Sequence, residues 1–158
     1  MGKYFTVEEC CVSASYPKLV EVPEEGSSIY KNIQYMIERL DIIREKWGGP
    51  IIVTSGFRNN LLNQAVGGSK TSAHRTGLAV DIHPKNGNIM ELAELIAKSG
   101  LEFDQLILEK ITVKNYEIKN CEWIHLGFSR VNPRKQILAF NGKSYLPVKL
   151  NNVCVFKI

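Results

Sequence analysis

The sequence has few of the features that mark secreted, membrane or nucleic-acid-binding proteins. Its first residues contain no apolar segment of the signal-peptide kind, so we expect synthesis without one. No run approaches the roughly 20 apolar residues that a membrane-spanning helix requires. The formal net charge is only +4, and no lysine- or arginine-rich cluster is interleaved with aromatic residues. We therefore expect neither a membrane span nor a nucleic-acid partner.

Cysteine is also scarce, with four in 158 residues. Cys10 and Cys11 are adjacent, which makes them a poor disulfide pair, and neither Cys121 nor Cys154 belongs to a C-x-x-C spacing. Disulfide-rich domains and cysteine-based metal sites depend on such spacings. We expect reduced thiols, as in a protein made in the cytoplasm.

What remains is the composition of a folded domain, with 44% hydrophobic and 23% charged residues. A chain of this length can bury a sizeable core as one domain. We find no internal repeat, no low-complexity segment and no linker. We therefore predict a single domain over residues 1–158.

Hydrophobic periodicity predicts alternating helices and short strands. The clearest helix begins with Ser28 as its cap, carries apolar residues on one face as far as Trp47, and ends at Gly48-Gly49-Pro50. A second helix is predicted over Ile89–Ser99, and one or two helical turns over 60–66. The capping box Thr6-Val7-Glu8-Glu9 predicts the start of a further short helix near the N-terminus. The predicted strands are Ile51–Thr54, Leu78–Ile82, Gln105–Glu109 and Glu122–Gly127, with a hairpin or exposed loop over 110–121 and an Asn141-Gly142 hairpin joining Lys135–Phe140 to Lys143–Val148.

Two of these strands carry residues suited to a metal. His74 lies in the loop before the first strand and Asp81 lies within it, so a turn between loop and strand can bring them together. His125, in the second strand, supplies a third donor. Imidazole and carboxylate ligands favour zinc, and three protein ligands with one open position are typical of a catalytic zinc site.

The motifs around these residues resemble a known family. The run S-x-H-x-x-G-x-A-x-D-I at 72–82, the later E-W-x-H-x-G at 122–127 and the upstream S-G-F-R at 55–58 resemble the zinc D-Ala-D-Ala carboxypeptidases. They are equally similar to the related phage L-alanyl-D-glutamate endopeptidases, and the likeness extends from about Tyr4 to about Val148. The implied fold is α+β and hedgehog/DD-peptidase-like, with a small antiparallel sheet that carries the metal site and helices packed mainly on one side.

The resemblance also implies roles for individual residues. One Zn²⁺ per chain is expected on His74, Asp81 and His125, with Glu122 as the general base. Arg58 is expected to bind the substrate and to stabilise the developing oxyanion, and Ser72 is expected to contact the substrate. Three other residues stay open: His83 is either a supporting histidine or a fourth ligand, and Glu109 or Asp104 orients a ligand histidine.

The implied function is hydrolysis of a peptide bond in the peptidoglycan stem peptide, either D-Ala-D-Ala or L-Ala-D-Glu, by a monomer without a cell-wall-binding module. We expect a phage or prophage endolysin made in the bacterial cytoplasm and acting at the wall after release. A cytoplasmic D-Ala-D-Ala dipeptidase is a further possibility. Two alternatives of other classes are a binding module that keeps the metal without hydrolysis and a structural phage tail protein.

Overall fold

The computed structural model describes residues 2–150 and 156–158. It has three α-helices, α1 (Ser28–Trp47), α2 (Asn60–Ala65) and α3 (Ile89–Lys98), and short 3₁₀ turns at Glu8–Cys11, Pro17–Leu19 and Ala73–Thr76. The described strands are β1 (Ile51–Ser55), β2 (Ala79–Pro84), β3 (Gln105–Glu109), β4 (Thr112–Lys114), β5 (Glu117–Asn120), β6 (Trp123–Gly127), β7 (Gln136–Phe140), β8 (Tyr145–Pro147), β9 (Lys149–Leu150) and β10 (Phe156–Lys157).

The three α-helices form where the sequence predicts them, with one shift at a cap. Ser27, rather than the predicted Ser28, caps α1, because its side chain accepts a hydrogen bond from the amide of Tyr30. Gly48 ends this helix in the left-handed conformation, at φ 77°. The Thr6–Glu9 capping box forms in both directions, but it starts only a 3₁₀ turn.

The main sheet has six strands in the order β1-β2-β6-β3-β7-β8. The prediction of an antiparallel sheet is wrong at one pair, because β3 and β7 run parallel. The reason is the path of the chain after β6. That strand ends at Gly127 beside the start of β3, and the chain then crosses over this same start of β3, where the Gln136 amide donates to the Asp104 carbonyl. It therefore returns along β3 in the same direction, and the sheet is mixed.

The two faces of this sheet differ in chemistry because side chains alternate along each strand. Val80 and Ile82 of β2, with Ile124 and Leu126 of β6, join the hydrophobic core formed with α1 and α3. Asp81 and His125, at the positions between them, lie on the opposite face. Helices α1 and α3 thus cover the apolar face, as expected of helices packed mainly on one side, and the metal-ligand candidates lie on the other face.

A second, four-stranded sheet has the order β4-β5-β10-β9. Its β4–β5 hairpin settles the alternative left open for residues 110–121. The predicted tail hairpin also forms, with Phe140 paired to Tyr145 across Asn141–Ser144. Strand pairing with the C-terminal residues was not predicted.

The cysteines behave as the sequence indicates. Cys10, Cys11 and Cys121 are free and buried, and burial raises the pKa of Cys11 and of Cys121 to about 12. Such thiols stay protonated and unreactive at neutral pH. Cys154 lies outside the described residues.

None of the helices in the described ranges combines the length and the apolar character needed to cross a lipid bilayer.

Candidate metal centre

His74, Asp81 and His125 meet on the open face of the sheet, and their potential ligand atoms all lie within 4.8 Å of one another. The His74 Nε2 and the His125 Nδ1 are each 3.3 Å from the same oxygen, Asp81 Oδ1. The structure thus brings together the three residues that the sequence predicts as ligands.

The local backbone structure explains how each ligand residue is positioned at the site. His74 lies in the 3₁₀ turn Ala73–Thr76, which Ser72 caps by accepting a hydrogen bond from the His74 amide. Gly77 closes the turn at φ 78° and leads the chain into β2, where Asp81 pairs with His125 of β6. A side chain at position 77 would be strained in this backbone region, and its Cβ would lie 2.8 Å from Ile33.

The tautomer of His74 is fixed by its surroundings. Its Nδ1 is 2.8 Å from the backbone carbonyl oxygen of Gly56, which can only accept, so Nδ1 carries the hydrogen. The lone pair of Nε2 then faces Asp81. Burial is the main cause that lowers the pKa of His74, which keeps the ring neutral. A backbone acceptor behind a histidine is the arrangement found at metal-ligating histidines.

The donor set fits a zinc ion. Burial opposes ionisation of Asp81, yet the pKa of this carboxyl lies below its ordinary range, so the group is charged. One nitrogen of each imidazole lies 3.3 Å from the same oxygen of this buried carboxylate, and the two ring centres are 5.1 Å apart. Nitrogen lone pairs gathered around a carboxylate favour a shared cation, and the N₂O set is one that zinc accepts.

Arg58 lies beside the ligands. Its Nη2 is 3.6 Å from Asp81 Oδ2, its Nε donates to Ser55 Oγ at 3.3 Å, and its Nη1 reaches Asn63 Oδ1 at 3.5 Å. Asn63 also donates to the Ser69 carbonyl, so it ties the guanidinium to the glycine-rich loop. No sequence signal indicated Asn63, because its role depends on the packing of α2 against that loop.

A cleft of about 560 Å³ opens over the three ligands. Arg58 and Ser72 line it, as do Arg134 and Tyr145 from the C-terminal part of the chain. Ser72 therefore lies at the cleft, although its observed contact supports the His74 turn. The last two residues were missed because only long-range packing brings them here.

The four remaining candidates divide between this cleft and its neighbours. His83 is half-buried, hydrogen-bonded to its neighbour Pro84 and outside the ligand cluster. Asp104 binds Arg134, with an Oδ2–Nη2 distance of 2.7 Å. Glu109 lines the cleft, whereas Glu122 lines two adjacent depressions and has a side chain 60% exposed, 3.7 Å from Lys110.

Comparison with known proteins gives an independent result. The family model described as Peptidase M15 matches residues 3–113, which include Arg58, His74 and Asp81 and end before β6. A comparison with curated protein sequences returned no significant match. Because the family match covers more than two thirds of the chain, this protein belongs to the Peptidase M15 family and is a zinc metallopeptidase.

Proposed function

We propose that this peptidase hydrolyses a peptide bond in the stem peptide of peptidoglycan, with one zinc ion held by His74, Asp81 and His125. The convergence of both histidines on one carboxylate oxygen, at the floor of an open cleft, is the observation that carries the proposal. When bound, zinc would supply Lewis-acid polarisation of a peptide carbonyl and a more acidic water molecule.

The chain's own residues account for the rest of the chemistry. Gly56 holds His74 in the tautomer that presents a free Nε2, and β6 holds His125 against Asp81. Arg58 has more N–H groups than its observed partners use, and it borders the cleft. We propose that its remaining donors bind the substrate carbonyl and stabilise the negative charge that develops there.

The lining of the cleft supports a polar, extended peptide as substrate. Its lining includes the hydroxyl residues Ser69 and Thr71, together with Gln105 and Arg134. Such groups can pair with the amides and carboxylates of a stem peptide. Both D-Ala-D-Ala and L-Ala-D-Glu bonds fit this description, so the two activities stay alternative forms of one proposal.

Analysis of the termini released from purified peptidoglycan tests the proposal and names the bond. New free D-alanine would identify a carboxypeptidase, and new N-terminal D-glutamate would identify an alanyl-glutamate endopeptidase. Sacculi that sediment with the zinc-loaded protein but release no new termini would contradict hydrolysis and favour a binding module.

The endolysin-like role forms part of the proposal and rests on the similarity of the motifs to phage endopeptidases. The protein would then be made in the bacterial cytoplasm and act on the wall after release. Expression in a host should cause lysis only when the cytoplasmic membrane is permeabilised. Absence of lysis after the membrane is permeabilised, in a host whose isolated wall the protein degrades, would argue against this role.

Chelation is expected to abolish hydrolysis while leaving the secondary structure intact, because the core lies on the other face of the sheet. At zinc concentrations 100-fold above Kd, binding stabilises the fold by about 2.7 kcal/mol. For a domain of this size, that loss lowers Tm by roughly 5–10 °C. Far-ultraviolet circular dichroism and thermal melting, before and after chelation, provide the measurement. An unfolded apo-protein would show that zinc is structural.

A further inference from the structure

Glu109 lies on the metal side of the sheet by strand register. In the β3–β6 pair, Ile107 is opposite His125 and Glu109 is opposite Trp123. Residues two apart on a strand share a face, so Glu109 lies on the face of His125 and Asp81. Diagonal neighbours of this kind are roughly 7–8 Å apart, which leaves room for a water molecule between a carboxylate and the ligands.

Glu122 has a different position. It precedes β6 and lies three residues before His125, an offset that places side chains on opposite faces of a regular strand. Its amide donates to the Glu109 carbonyl, which ties its backbone to β3, and its carboxylate faces Lys110. It reaches the neighbourhood of Asp81 only from the adjacent depression.

The surroundings of Glu109 suit a group that exchanges protons. The side chain is half-buried in the cleft wall, and within the described ranges no protein group donates a hydrogen bond to its carboxylate. Burial raises the pKa of Glu109, while His125 counteracts that rise and Asp81 adds to it. A carboxylate that lies near the metal ligands without a hydrogen bond to them can accept one from a water molecule in the cleft.

We propose that Glu109 takes the catalytic role of general base that the sequence motifs give to Glu122. This inference rests on the proposed function. As the water oxygen forms a bond to the scissile carbonyl carbon, Glu109 accepts a water proton on a carboxylate oxygen. When the C–N bond breaks, Glu109 passes that proton to the leaving amine nitrogen. The carboxylate is regenerated, and no oxidant, reductant or further reactant is needed.

Parallel substitutions, Glu109→Gln and Glu122→Gln, test the assignment because each keeps the side-chain shape and removes one carboxylate. Glu109→Gln should lower kcat by roughly 10²–10⁴ at saturating zinc. Glu122→Gln should change kcat less than about tenfold, since it removes only an exposed partner of Lys110. Glu109→Asp, which retains a shorter carboxylate, should recover part of the lost rate.

Measurements other than turnover separate a base from a residue that merely positions His125. Loss of a group that orients a metal ligand typically costs 10–100-fold in metal affinity. We expect Glu109→Gln to keep one zinc per chain, to hold it with less than a tenfold change in affinity, and to sediment with sacculi as the parent does. Competition with a chromophoric chelator measures the affinity. In the parent, kcat/KM should fall at acid pH, because the base becomes protonated there. That fall should be absent from the pH profile of Glu109→Gln.

Three outcomes would overturn the assignment. A large loss in Glu122→Gln with an active Glu109→Gln would restore Glu122 as the base. A Glu109→Gln protein with a tenfold or greater loss of zinc affinity, whose rate recovers in excess zinc, would make Glu109 a positioning residue. A zinc-loaded parent that releases no termini from any wall preparation would remove the proposed function itself, and the role of Glu109 with it.

Discussion

His125→Ala is expected to eliminate zinc binding and hydrolysis together while the protein stays folded. The substitution removes one of three protein donors and leaves His74 and Asp81, which are too few to hold a catalytic zinc. Without the metal's contribution of several kcal/mol, the rate should fall by on the order of 10³ or more. Metal analysis, wall hydrolysis and melting with and without zinc should be measured on one preparation, whose Tm should no longer respond to zinc.

His83→Ala is the matched control, since it removes a second histidine from the same sheet. His83 belongs to β2, but its Nδ1 lies 3.0 Å from the carbonyl oxygen of Pro84 and it is not part of the three-residue cluster. This variant should keep one zinc per chain and most of its activity. Loss of zinc in His83→Ala, or its retention in His125→Ala, would require a different ligand set.

Arg58→Lys should reduce turnover by on the order of 10²–10³, although it preserves the charge. The guanidinium lies near Ser55, Asn63 and Asp81 at once, and a lysine ammonium cannot maintain this planar set of contacts. The donors that face the cleft would also be lost. Steady-state kinetics at saturating zinc should show this decrease mainly in kcat.

Arg39→Lys serves as the control for Arg58→Lys, because Arg39 belongs to α1 and donates to the Tyr35 carbonyl away from the cleft. It should have the parent's kinetics. If excess zinc restored Arg58→Lys to the parent's rate, the arginine would act only by holding Asp81. A fully active Arg58→Lys protein at ordinary zinc would exclude both roles.

The metal ligands were accessible from the sequence because two of them lie in one loop-and-strand motif. The seven-residue spacing of His74 and Asp81 spans a capped turn that ends at a glycine, and each of these signals is local. His125 could be added because its own motif predicts a strand. The alternation of core and open faces follows from the same short-range pattern.

The features that the sequence did not reveal depend on contacts between distant parts of the chain. The parallel β3–β7 pair results from a crossing at the start of β3, which no local pattern encodes. The positions of Glu109 and Glu122 follow from strand register, and the motif resemblance carries no information about register. Arg134 and Tyr145 come to the cleft only through the placement of β7 and β8.

The central place of β6 also determines when the metal site forms. The strand lies between β2 and β3, and it brings His125 to Asp81, 44 residues earlier in the chain. Closing such a long loop is a costly step in folding, and until it closes the chain offers zinc only the nearby pair His74 and Asp81. Zinc should therefore bind mainly after the folding barrier, so that it slows unfolding and leaves the refolding rate nearly unchanged. Stopped-flow refolding and unfolding, each with zinc and with chelator, would measure the two rates, and faster refolding with zinc would place the insertion of β6 before the barrier.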